Sequence, residues 1–118
     1  MGMLEITIEI GDPAGQNFEE LEVIVDTAST NTVIPSDILE LLGVPIKTTK
    51  PTRIADGSII MSRAGYTIIR LEGEEFPTPV TFAEPGKPSL LGVVALETAA
   101  LAVDPVEQRL VPTNLMRL

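Results

Sequence analysis

No cysteine and no histidine occur anywhere in the 118 residues. Without cysteine there is no disulfide framework, no thiol nucleophile and no zinc–thiolate site. Without histidine the Ser-His-Asp arrangement, the cysteine-protease pair and most transition-metal sites are excluded. Any catalysis therefore falls to carboxylates, hydroxyls or lysines, with no metal and no cofactor expected. Aromatics are only 3% of a chain that is 44% apolar, so the core must be built from Val, Ile and Leu. No apolar run approaches the roughly 20 residues that cross a bilayer, and no membrane association is expected. Basic residues are also scarce: 8 Lys and Arg stand against 17 Asp and Glu, for a net charge of −9. That balance repels phosphate backbones, so nucleic acid is not an expected partner. The start, Met1-Gly2-Met3-Leu4-Glu5, has no signal-peptide pattern, and Ile6 does not fit a myristoylation site. A cytoplasmic location is the default expectation.

What is present reads as one all-β domain over residues 1–118, a length at which about two-thirds of the unfolded surface is buried on folding. Leu4, Ile6, Ile8 and Ile10 alternate with Glu5, Thr7 and Glu9, the period of a half-buried strand. After the turn residues Gly11-Asp12-Pro13-Ala14-Gly15, the alternation resumes at Leu21, Val23 and Val25. Thr32-Val33-Ile34 is a short apolar return ending at Pro35. Ser36 as cap, Asp37 at the positive end of the dipole, and the apolar Ile38, Leu39, Leu41 and Leu42 predict a two-turn helix. Gly43 and Pro45 stop it. Asp56-Gly57 between apolar residues predicts a hairpin. Further strands are expected at residues 66–71 and 76–82, a second short helix at 93–98, and a last hairpin around Asp104-Pro105. Many short strands between regular turns indicate a closed or sandwich-like β domain. The apolar first strand and the tail Asn114-Leu115-Met116-Arg117-Leu118 either pair with another chain or tuck into their own sheet, with equal support for each.

Asp26 is the focus for chemistry, because it follows a buried strand directly and opens a loop of small residues. Alone, Asp-Thr in that setting reads as a turn in which the Asp accepts backbone N–H bonds. Asp12, Asp37, Asp56 and Asp104 have similar turn or helix-start explanations. Lys47, Lys50 and Lys87 stand beside hydroxyls, but no buried setting for a Ser–Lys mechanism is evident. The segment Val25-Asp26-Thr27-Ala28-Ser29-Thr30-Asn31-Thr32-Val33-Ile34-Pro35, however, resembles the active-site stretch of retropepsin-like aspartic proteases. Leu90-Leu91-Gly92 is similar to that family's apolar-apolar-Gly motif. Leu101-Ala102-Val103-Asp104-Pro105 through Arg109-Leu110-Val111-Pro112 resembles the C-terminal hairpin of its bacterial and archaeal single-domain members. The match runs in order over residues 21–112.

The resemblance implies a closed β-barrel of the retropepsin-like fold, with one or two short helices and a flap hairpin. It implies a homodimer in which Asp26 of each subunit completes a carboxylate dyad that activates water for peptide hydrolysis. Close like charges cannot both ionise, so such a dyad supplies an acid and a base together. By the same resemblance Thr27, Ala28 and Ser29 brace the loop and the dimer. Ile54, Ala55, Asp56, Gly57 and Ser58 form the flap over an extended peptide substrate. Pro88, Leu90, Leu91 and Gly92 belong to the substrate pocket. Where the family has Gly after Asp-Thr, this chain has Ala28. A positive φ at that position would strain Ala28 by about 1–2 kcal/mol, whereas a negative φ would accommodate the methyl. The alternative reading is a catalytically weak or inactive homodimer of the same fold that serves as a peptide-binding or assembly module.

Overall fold

The computed structural model describes residues 3–113, so the tail at 114–118 lies outside the described residues. The N-terminal alternation forms β1 (Glu5–Gly11), which buries Ile8 and Ile10 and exposes Glu5 and Thr7. It pairs antiparallel with β2 (Phe18–Val25) from Glu5↔Ile24 to Gly11↔Phe18. Between them the Asp12 carboxylate accepts the Gln16 N–H and the Asn17 side-chain amide, each at 2.8 Å. Those two bonds hold the Asp12 pKa below its ordinary value.

β3 (Thr32–Pro35) leads without a break into α1 (Ser36–Leu41). Ser36 is not the cap. Pro35, still extended at φ −54° and ψ 139°, holds that position, and no side chain caps the helix. The strand delivers Ser36 straight into the first turn, where it is buried. The C-terminus follows expectation: Gly43 at φ +71° donates to the Glu40 carbonyl at 3.0 Å, and Val44 to that of Leu39 at 2.9 Å. These are the two bonds of a Schellman motif, and the buried Leu39 and Val44 supply its apolar contact.

β4 (Thr48–Arg53), β5 (Ile59–Leu71) and β6 (Glu74–Ala83) make an antiparallel meander. β5 is a single strand of 13 residues, where sequence patterning marked only its two ends. Its first half lacks alternation because it does not lie on the core. There it pairs with the wholly exposed β4 as a two-stranded arm over six residue pairs, Thr48↔Ala64 to Arg53↔Ile59. From Gly65 onward every second residue is buried. β7 (Leu90–Leu91), α2 (Val93–Thr98), β8 (Leu101–Asp104) and β9 (Arg109–Pro112) complete the chain.

The main sheet has seven strands in the order β1-β2-β7-β3-β6-β5-β4, and β8-β9 form a separate pair. β1 also meets β5, at Glu9↔Arg70 and Ile10↔Ile69. What the sequence suggests as a closed barrel is thus, in its hydrogen bonding, one mixed sheet whose return from β1 to β5 spans only these two pairs. Its interior is aliphatic as expected, centred on Ile10, Ile34, Leu39, Ile69, Val80 and Leu91, with Phe76 and Phe82 at the margin. Among the described residues no helix is long and apolar enough to cross a membrane.

The two helix ends offer a controlled comparison. α2 shares one of the two Schellman bonds of α1, with Ala100 donating to the Glu97 carbonyl at 3.0 Å, but Ala100 rather than glycine carries the positive φ of 56°. A Cβ added at Gly43 meets nothing within 4 Å, so Gly43→Ala isolates the backbone strain. We expect Gly43→Ala to cost about 1 kcal/mol and Ala100→Gly to gain about 0.5–1 kcal/mol. Urea unfolding of both variants measures this; equal midpoints for all three proteins would refute the strain account.

Candidate active site

β2 runs parallel to β7, with Ile24 opposite Leu90 and Val25 opposite Leu91. The pairing carries on one step past the strand, because the Asp26 N–H donates to the Leu91 carbonyl at 3.0 Å. Asp26 is therefore fixed by the sheet while its side chain enters the loop. There Oδ1 accepts the Ala28 N–H at 3.0 Å, and the Asp26 carbonyl accepts the Ser29 N–H at 3.1 Å. Among the described residues Oδ2 makes no hydrogen bond. Asp26 is half-buried, and Thr27 and Ala28 beside it are exposed. The local turn that Asp-Thr suggests is thus present, and it leaves one carboxylate oxygen uncommitted.

Ala28 does not have a positive φ; among the described residues only Glu72, Ala100 and Gln108 do so without being glycine. Its methyl is held without backbone strain.

The second motif backs the first. α2 has no side-chain cap. Its leading N–H groups are satisfied instead by the Asp26 loop, with Val93 donating to the Ser29 carbonyl at 2.8 Å and Val94 to that of Thr30 at 3.1 Å. The Gly92 N–H donates to Oγ1 of the fully buried Thr32 at 3.1 Å. Ser29 closes its own side of the loop by donating Oγ–H to the Asn31 carbonyl at 2.7 Å. Thr32 is a supporting residue that sequence reasoning did not single out; a hydroxyl opening a short apolar strand gives no distinctive signal.

The pocket candidates separate. Leu91 has no exposure and belongs to the core, so its side chain does not face a substrate. Gly92 is buried against the loop backbone. Strand period explains the split: Leu90 and Leu91 point to opposite faces. Leu90 is half-buried and Pro88 is exposed.

The tip of the β4–β5 arm is a three-residue loop rather than a two-residue turn. Gly57 donates to the Ile54 carbonyl and Ile54 to that of Ser58, each at 2.9 Å, with Gly57 at φ +89°. Ile54, Ala55, Asp56, Gly57 and Ser58 are all exposed, as are Ile59, Ile60 and Met61 behind them. No hydrogen bond joins this tip to the Asp26 loop among the described residues. Oδ1 of Asp56 accepts both the Ser58 hydroxyl, at 2.6 Å, and the Ser58 N–H, at 2.8 Å. These bonds lower its pKa, the hydroxyl first. A carboxyl lowered in the folded state supports its turn above the ordinary carboxylate range and releases it as pH falls through the lowered value. The Ser58 amide is expected to lose protection, measured against the intrinsic exchange rate at each pH, as the medium becomes acidic, and Asp56→Asn should remove that change. An exchange profile indifferent to the substitution would contradict this.

Two hollows flank the Asp26 loop. One, of about 530 Å³, is lined by Met3, Leu4, Val25, Thr27, Val103 and Pro105 among others. The other, of about 350 Å³, lies at the root of the arm and includes Asn31, Lys50 and Thr81.

The fold has a counterpart among solved structures. The chain superposes on an EIAV protease complexed with the inhibitor HBY-793, with a TM-score of 0.61 over 83% of this chain and 88% of that one. The fold is retropepsin-like. Sequence identity is 18%, so the likeness is one of fold. No protein-family profile matches this sequence, and no curated protein does.

Proposed function

We propose that this chain is an aspartic endopeptidase acting as a homodimer, with Asp26 from each protomer forming the catalytic dyad. The observation that carries this reading is the Asp26 loop within a retropepsin-like fold. A carboxylate is fixed at the end of a core strand, keeps one oxygen uncommitted, and stands beside exposed Thr27 and Ala28. One protomer has one such carboxylate. A second copy meeting the exposed Thr27-Ala28 face supplies the other. In this reading the sheet that returns from β1 to β5 is the closed barrel of the family, and residues 54–58 are the flap over an extended peptide.

The chemistry needs nothing beyond the pair. The ionised carboxylate takes a proton from water as its oxygen attacks the peptide carbonyl carbon, and the protonated one hydrogen-bonds the developing oxyanion. Collapse of the tetrahedral intermediate breaks the C–N bond, and the amine departs with a proton from the dyad. The pH–rate profile is accordingly expected to be bell-shaped.

The reading as an inactive binding module rested on Ala28 in place of glycine. Because the φ at Ala28 is not positive, backbone strain at that position gives no argument against turnover. The test is cleavage of a mixed peptide library from mildly acidic to neutral pH by the native chain and by Asp26→Asn, with sedimentation of both. Cleavage by neither, with both dimeric, would return the lead to the binding module.

A further inference from the structure

The hollow at the root of the β4–β5 arm differs in charge from the rest of the protein. Strand period puts Thr48, Lys50 and Thr52 of β4 on one face, beside Ser62, Ala64 and Tyr66 of β5 and Pro79 and Thr81 of β6. Asn31, at the exit of the Asp26 loop, closes the fourth side and donates its side-chain amide to Oγ1 of Thr81 at 3.3 Å. Since that oxygen accepts from Asn31, the Thr81 hydroxyl proton is left to donate elsewhere. The lining holds a lysine and several hydroxyls and no carboxylate, although 17 of the 118 residues are acidic. Lys50 forms no ion pair among the described residues, whereas Arg70 is engaged by Glu9 and Glu75. A cation without a counter-ion, set among hydroxyl donors in a concave site, is matched by an anionic side chain.

The geometry points to this cleft as a specificity subsite for an Asp or Glu side chain of the peptide substrate, with Lys50 as the residue that reads its charge. The inference rests on the endopeptidase reading for its ligand, an extended chain lying between the arm and the Asp26 loop. Asn31 belongs to that loop and Lys50 to that arm, so a chain in this position passes the cleft on its way from Asp26. The acidic residue therefore lies some way from the scissile bond, and the two-fold axis of the proposed dimer repeats the cleft on the other side of it. It also answers a difficulty of charge. A protein of net charge −9 repels acidic peptides at long range, so selecting one requires a local cation at the cleft itself.

The test uses pairs of peptides that differ only by Glu or Gln at one position, scanned along both sides of a cleaved bond. The native protein is expected to favour Glu at one position on each side of the bond by about fivefold in kcat/KM, the upper end for a partly exposed ion pair. Lys50→Ala should abolish that preference, and Lys50→Glu should reverse it in favour of Gln. Cleavage with no Glu preference at any position would overturn the subsite and leave the endopeptidase reading standing. If no peptide is cut, anisotropy of the same fluorescein-labelled pairs on Asp26→Asn decides the matter. Tighter binding of the Glu member that Lys50→Ala removes supports the cleft without catalysis, and equal or absent binding overturns it.

Discussion

Asp26→Asn is expected to reduce peptide cleavage at least about 1,000-fold while leaving the fold and the dimer intact. The size follows from what is removed. Positioned acid–base catalysis is worth roughly 100- to 10,000-fold, and in a homodimer the single substitution removes both members of the pair. Preservation of the fold follows from geometry. Oδ1 of an asparagine accepts the Ala28 N–H as the Asp26 oxygen does at 3.0 Å, and the bonds from Asp26 to Leu91 and Ser29 are made by backbone. Mixing the two proteins makes a sharper test. If each site needs both Asp26 residues, activity falls as the square of the native fraction, to about a quarter in an equal mixture of freely exchanging protomers. A fall only to about three quarters, the share of dimers that hold at least one native protomer, would mean that a single Asp26 suffices, and the dyad would have to be given up.

The parts of the architecture that could be read from the sequence were those where one face is buried and the other wet. β1 and β2 alternate cleanly because each has one core face, and the Leu39 stripe ending at Gly43 marks α1 for the same reason. The arm was harder to read. Thr48-Thr49-Lys50-Pro51-Thr52-Arg53 buries nothing, so no hydrophobic period exists to betray it, and only its partner β5 holds it extended. The Asp56-Gly57 pair located the tip correctly. It did not fix the loop length, because the same dipeptide serves a two-residue turn and the three-residue loop seen here. The cap of α1 was misread for a related reason: Ser36 is a good cap by chemistry, but β3 extends to Pro35 and occupies the place. At the candidate site, the linear motif around Asp26 and the one around Gly92 were both visible. Their mutual support was not, since it consists of N–H bonds from α2 to loop carbonyls, which no side chain encodes. The direction of Leu91 followed from strand period once β7 was known, but a strand of two residues carries too short a pattern to show it.

That mutual support makes Gly92→Ala the substitution of next largest effect. A Cβ built on Gly92 would lie 2.4 Å from the Asn31 carbonyl oxygen, 2.5 Å from its carbon and 2.8 Å from the Thr30 oxygen. All three atoms are backbone, so no side-chain rotation relieves the overlap, and either β7–α2 or the Asp26 loop must shift. The loop is the weaker of the two, because Leu91 and Ala95 on the other side are locked in the core with no exposure. Moving the loop stretches the bonds from Val93 to Ser29 and from Val94 to Thr30, and in the proposed dimer it carries Asp26 away from its counterpart. A displacement of about 1 Å at reacting groups can cost roughly 100-fold in rate. Overpacking a filled site costs typically 1–3 kcal/mol of stability. Both losses are expected together, the first mainly in kcat, because Lys50 and the arm are built from other strands and only Asn31 of the cleft belongs to the displaced loop. The control is Leu91→Ala, which empties core volume and should cost about 2–5 kcal/mol without placing any atom against the loop. A Gly92→Ala protein with unchanged kcat would show that the loop tolerates the displacement, and that its contact with Gly92 serves stability alone.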